Sequence, residues 1–252
     1  MNGFFGKDMK RSFLNVGFFA GMAAVSALLL AAVAMGTPPE RTRSSYYILY
    51  NVFGASGFGP FAAVFPVLAY ATSFCEEYQS GYYRMIFSRM HPVRFGGIRI
   101  CSVALSGGVM LAVPIAAACI MAYTLGVPGV PQDSDKGLLD GTIMLTYLMK
   151  YGDWYIGVWK TVLGFLFGCV WALVGFLFAV WIPNRYVALI APFVLYESMW
   201  IGLDGIVWLN PIRLLRGDDV GSYPLAAGVE CVYIMIVSIV IMAGLVRRYG
   251  NG

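Results

Sequence analysis

The sequence of 252 residues is 60% hydrophobic and 12% charged, whereas soluble globular domains carry about 25% charged residues. A membrane helix needs about 20 apolar residues, so six would occupy about half of these residues and leave connections too short for a separate catalytic domain. The net charge of +4 is small and the basic residues are scattered among apolar runs, which argues against nucleic acid as a partner.

Residues 1–15 combine Phe4, Phe5, Met9 and Phe13 with Lys7, Lys10 and Arg11. They are expected either to lie on the membrane surface as an interfacial amphipathic helix or to fray as a tail. Six apolar runs follow, at 16–36, 57–74, 98–125, 157–182, 186–203 and 227–246. Lipid satisfies no backbone donor or acceptor, so these runs are expected to be helices; barrel strands would alternate, and these do not. The expectation is a single all-α integral membrane domain over 1–252 with six transmembrane helices. The first run also ends in Ala32-Val33-Ala34, a pattern seen at signal-peptide cleavage sites, although its length is nearer a full span than an h-region of about 7–15 residues.

Charge sets the expected orientation. Lys7, Lys10, Arg11, Arg84, Arg89, Arg94, Arg99, Arg185, Arg247 and Arg248 fall on one side of the spans with three acids, while the opposite loops carry six basic residues and eight acids. Positive charge marks the cytoplasmic side, so both termini are expected there. Tyr46, Tyr47, Tyr50, Trp154, Tyr155, Trp159, Trp200 and Trp208 then form an outer aromatic belt. The five cysteines lie in or beside apolar segments, so disulfides are not expected to support the fold.

The connection after the second run, residues 75–97, holds the most informative pattern. Glu76 and Glu77 close a membrane helix, Tyr82, Met85, Ile86 and Met90 recur at spacings of three and four, and Pro92 stops that short amphipathic segment. Its simplest role is to float in the headgroups, with its arginines drawn to anionic lipid. The combination of Glu77, Gly81, Met85 with Ile86, Pro92, Arg94 and Arg99 resembles the segment after the second span of ABC-2 type transporter permeases. The six-span plan with termini inside and a re-entrant turn before the last span is similar as well. Tyr82, where a threonine is often found, and His91 just before the proline depart from that pattern.

The resemblance implies that residues 75–97 form a cytoplasmic coupling helix docked into an ATPase, with Glu76, Glu77, Gly81, Tyr82, Arg84, Met85, Arg89, Pro92 and Arg94 as coupling residues. It implies the permease subunit of an exporter in the inner or plasma membrane: two copies or a related pair, two ATPase chains below, and an amphipathic or hydrophobic cargo such as a peptide, drug or lipid-like compound. No G-x-x-x-x-G-K-[ST] loop occurs, so ATP and Mg are expected on the partner ATPase, with no cofactor and no metal in this chain.

Farther along, Gly157, Thr161, Gly164, Gly168, Ala172, Gly175 and Ala179 recur every three or four residues and gather small side chains on one helical face, a general device for close helix packing. Phe165 and Trp171 on other faces are candidates for a hydrophobic substrate pathway. In the fifth run, Glu197 is an intramembrane carboxylate and a candidate for contacting a cationic cargo, or else a neutral or paired group. Lys160 is expected to snorkel outward and Glu230 to sit near the interface. Residues 204–226 are interrupted by Pro211 and charges. They are expected to form an external re-entrant segment, or an interfacial loop anchored by Trp208. Pro128, Pro131, Asp133, Asp135 and Asp140 form a solvated acidic loop whose spacing does not match an EF-hand.

Other functions fit less well. The single histidine, His91, lies outside the spans, so no His-dependent dyad or HExxH zinc site can form within the membrane. The alternative is an ATP-independent channel or a structural or accessory membrane protein; aromatic and aliphatic spans favour a hydrophobic path over a polar pore.

Overall fold

The computed structural model of the chain describes residues 2–36, 44–87, 90–127, 143–218 and 220–250. All named elements are helices: α1 Asn2–Phe13, α2 Val16–Gly36, α3 Ser45–Ala55, α4 Phe58–Phe61, α5 Val64–Tyr70, α6 Ser73–Gln79, α7 Tyr82–Phe87, α8 Pro92–Leu125, α9 Ile143–Tyr151, α10 Asp153–Trp181, α11 Arg185–Gly202, α12 Pro211–Arg216 and α13 Tyr223–Gly250. Four of them (α2, α8, α10 and residues Tyr223–Arg248 of α13) are long and apolar enough to cross a membrane, and the bent pair Ser45–Phe53 with Phe58–Tyr70 makes a fifth if counted as one span. This is the architecture of a membrane protein. The run at 186–203 is the 18-residue α11, about 27 Å long against a hydrocarbon core of about 30 Å; Arg185 and Glu197 lower its apolar character.

The run at 57–74 is not one helix. It is divided among α4, α5 and the start of α6, and α3 before it meets it at 51°. Gly57 takes a left-handed φ of 67° at the bend, where a β-branched or bulky residue would be strained. Pro60 and Pro66 each lack the N–H that a continuous helix needs. Side chains supply further donors to carbonyls along the broken segment: Tyr196 donates to Gly59 O (2.6 Å), Asn15 to Ala69 O (2.6 Å) and Ser73 to Tyr70 O (2.8 Å). This is how broken helices survive without water.

The bundle is built on α8 and α10. At their crossing a Cβ added to Gly168 would lie 2.9 Å from Gly108 Cα, and one added to Gly107 would lie 2.8 Å from Gly168 O. Higher on the same stripe, Gly164 receives Ile115 and Gly157 receives Tyr123, while Gly175 receives Val67 and Ala71 of the broken segment. The small-residue face of α10 is therefore filled by this chain's own α8 and broken segment. α8 begins at Pro92, earlier than residue 98, because Pro92 needs no N–H partner at a first helical position and His91 caps it, accepting from Val93 N at 3.4 Å. It runs through Pro114 for 34 residues, about 50 Å.

α1 and the end of α13 meet the same end of the bundle. Phe4 packs on Phe95, and Arg248 donates to Val180 O and Trp181 O and lies over the Tyr78 ring. At the opposite end α12 folds back against the helices, with Ile212, Leu214 and Leu215 buried. Asn210 caps α12, accepting from Ile212 N and Arg213 N, and Gly217 ends it. Cys75, Cys119 and Cys169 are buried, Cys101 and Cys231 are exposed, and none is disulfide-bonded. The acidic loop positions Asp133, Asp135 and Asp140 lie outside the described residues.

Candidate functional site

Two places in the bundle concentrate polar chemistry in apolar surroundings. The first lies under the α6–α7 segment at the end where α1 and α13 meet. Gly81 turns the chain between the two short helices with φ 71° and has open space where a Cβ would stand, so its constraint is backbone conformation and not crowding. Phe74, Cys75 and Ile86 are buried, with Phe74 edge-on to Phe176, while Tyr82 and Met85 are 46% and 66% exposed. The segment thus has an anchored inner face and an open outer one. Burial, then the neighbouring Glu76 carboxylate, pushes the Cys75 thiol above its ordinary pKa.

Its root is an ion network centred on Arg99, which is 1% exposed. Arg99 donates to Asp8 of α1, to the Tyr70 hydroxyl and to Glu77 of α6; Tyr70 donates in turn to Asp8 at 2.8 Å, and Arg11 reaches Glu77 at 3.4 Å. Two guanidinium groups therefore face two carboxylates, the balance a buried network needs. Glu76 makes a separate, exposed pair with Arg185 at 3.2 Å.

The second place is a cavity of about 150 Å³ bordered by α10, α11, α12 and α13. Phe167 and Trp171, Met199, Leu214, and Tyr233 with Glu230 line it. Glu230 is 2% exposed, and its Oε2 has no hydrogen-bond partner among the described residues. Tyr233 is engaged elsewhere, donating to Trp208 O at 2.9 Å.

These positions redistribute the residues singled out from sequence. Glu76, Glu77, Gly81, Tyr82 and Met85 lie on the α6–α7 segment, while Pro92 and Arg94 open α8; the Arg84 side chain and Arg89 lie outside what is described. Trp171 lines the cavity, whereas the Phe165 ring packs toward Gly108 of α8 and Glu197 lies outside the lining. Glu197 is half-buried on α11, with its Oε1 unpartnered among the described residues. Glu230 is buried within the bundle, its helical face turned toward α10 and α12. Lys160 does not snorkel: it is 1% exposed and bound by Asp218 at 2.7 Å and by Arg216 O, since the turn after α12 carries Asp218 into the bundle.

Asp8, Tyr70 and Asp218 escaped sequence reasoning. Asp8, a lone acid among Lys7, Lys10 and Arg11, is a signal that could have suggested a partner for Arg99. Among the described residues no group of three His, Cys, Asp or Glu is placed to hold a metal ion. No protein-family profile, curated protein or solved structure matches the chain.

Proposed function

We propose that the chain is the membrane-spanning permease subunit of an ATP-driven exporter, powered by a separate ATPase through the α6–α7 segment. One observation carries this reading: the segment is tied at its root by the buried Asp8, Glu77 and Arg99 network and offers an exposed, partly apolar outer face through Tyr82 and Met85. A lever needs this asymmetry. A push on α7 passes through Glu77 to Arg99 of α8 and through Asp8 to α1, provided two states of the assembly make different contacts there.

In this reading the chain has six spans, α11 among them, with both termini in the cytoplasm of an inner or plasma membrane. The α12 segment covers the outer end. A second permease chain completes the pathway, two ATPase chains bind below and carry ATP and Mg, and the cargo is amphipathic or hydrophobic. Arg84, Arg89 and Arg94 meet acids on the ATPase, while Glu76 and Glu77 keep their pairs within the chain.

Purification from native membranes with retention of an ATPase tests the reading. Gly81→Leu, or Arg84→Glu together with Arg89→Glu, is expected to separate ATP hydrolysis from transport while the membrane domain stays folded. Transport undiminished in such variants contradicts the proposal, as does transport by the chain alone, which an ATP-independent channel or accessory protein would give.

A further inference from the structure

We propose that the cavity around Glu230 is a binding site for a small organic ammonium ion with an aromatic or short alkyl body. Glu230 sits in the wall of a partly open apolar space, seven residues into α13, which places it about 10 Å along the helix from its start. An ionisable group at such a place is too costly to be an accident of sequence. The other buried acids described each face a cation: Asp8 and Glu77 share Arg99, and Asp218 has Lys160. Glu230 alone among the buried acids described has none, and its Oε2 is left without a hydrogen bond. Lys160, on the same helix as Phe167 and Trp171, is already committed to Asp218, and the Tyr233 hydroxyl to Trp208 O.

The rest of the wall determines the body of the ligand. Phe167, Trp171 and Tyr233 present aromatic surface, which attracts a cation electrostatically and packs an apolar ring. Leu214 and Met199 supply aliphatic surface. A space of about 150 Å³ matches a single benzene-sized group, since an engineered apolar cavity of about that volume holds benzene. An ammonium group on such a ring would give Glu230 the charge-assisted hydrogen bond that no described residue supplies. The site belongs to the isolated chain, so it stands or falls separately from the ATPase reading.

The test uses the full chain in phosphatidylcholine nanodiscs, without nucleotide or ATPase, titrated by calorimetry with benzylammonium and with toluene as the uncharged counterpart. The expected result is saturable binding of benzylammonium at one site per chain, weakened at least about tenfold by Glu230→Gln, in line with the loss of a hydrogen bond to a charged group, and little discrimination between benzylammonium and toluene in that variant. Glu230→Leu, which leaves no polar group in the wall, provides the same comparison should the glutamine variant unfold. Equal affinity for toluene in the wild type marks an apolar void only and overturns the proposal. Equal benzylammonium binding by wild type and both Glu230 variants overturns it too, as does the absence of saturable binding.

Discussion

The Arg99 network and the Glu230 cavity are opposite settings for ionisable groups inside a membrane protein. Around Arg99 each carboxylate meets a guanidinium and a tyrosine hydroxyl joins them, so three elements distant in sequence, α1, α6 and α8, are fixed relative to one another. Around Glu230 no described residue offers an opposite charge and the wall is almost wholly apolar. The difference teaches that a buried ionisable group answered by an opposite charge is a fastener, whereas one without such a partner is an opening for something that is not part of the chain. Lys160 with Asp218 repeats the first arrangement at the far end, where it holds the α12 segment in place.

Substitutions should divide along that line. Arg99→Ala leaves Asp8 buried without its guanidinium and Glu77 with only the exposed Arg11, and should destabilise by about 3–5 kcal/mol, the range for breaking a buried pair, measured by denaturant titration in detergent. Asp218→Asn keeps an acceptor for Lys160 but loses the charge, and about 2–3 kcal/mol is expected. Gly81→Leu forces a side chain into a left-handed turn, at about 1–2 kcal/mol. Glu230→Leu should fall on the other side of the comparison, neutral within about 0.5 kcal/mol or stabilising, because an apolar residue replaces a carboxyl with no partner to strand. A loss as large as that of Arg99→Ala would show that Glu230 is a fastener after all.

The smallest effect is chemical. The raised pKa of Cys75 leaves less thiolate at neutral pH, and the thiolate is the form that reacts. Maleimide should therefore label Cys75 at least about tenfold more slowly than a cysteine introduced at exposed Met85, with labelling of Cys75 rising toward alkaline pH. Equal rates would mean that the inner face of the segment opens readily.

Much of the architecture is legible in the amino acids because depth in a membrane is written as composition. The runs that became α2, α8, α10 and α13 are long and strongly apolar despite Pro114, Lys160 and Glu230, and the stripe through Gly157, Gly164, Gly168 and Gly175 announces close packing. The pair Gly107 and Gly108, which meets it, is visible in the same way. The second run misled because prolines and Gly57 break it, and because the tyrosines before it, Tyr46, Tyr47 and Tyr50, are helical in α3 and not merely a belt. Composition gives how deep a residue lies but not which way it faces. Depth left the facing of Lys160 and Glu230 open, and tertiary packing set it: Asp218 drew Lys160 inward, and the packing of α13 turned Glu230 into the cavity. Asp8 and Arg99 stand 91 residues apart, a pairing that no local periodicity encodes.

The lever claim is tested most directly by crosslinking at its outer face. With a cysteine at Met85, a thiol-reactive crosslinker applied to native membranes should join the chain to a protein that carries a Walker nucleotide-binding motif, and nucleotide should change the yield. If no ATP-binding protein is captured there and the purified chain moves its cargo across liposomes without nucleotide, the account is contradicted.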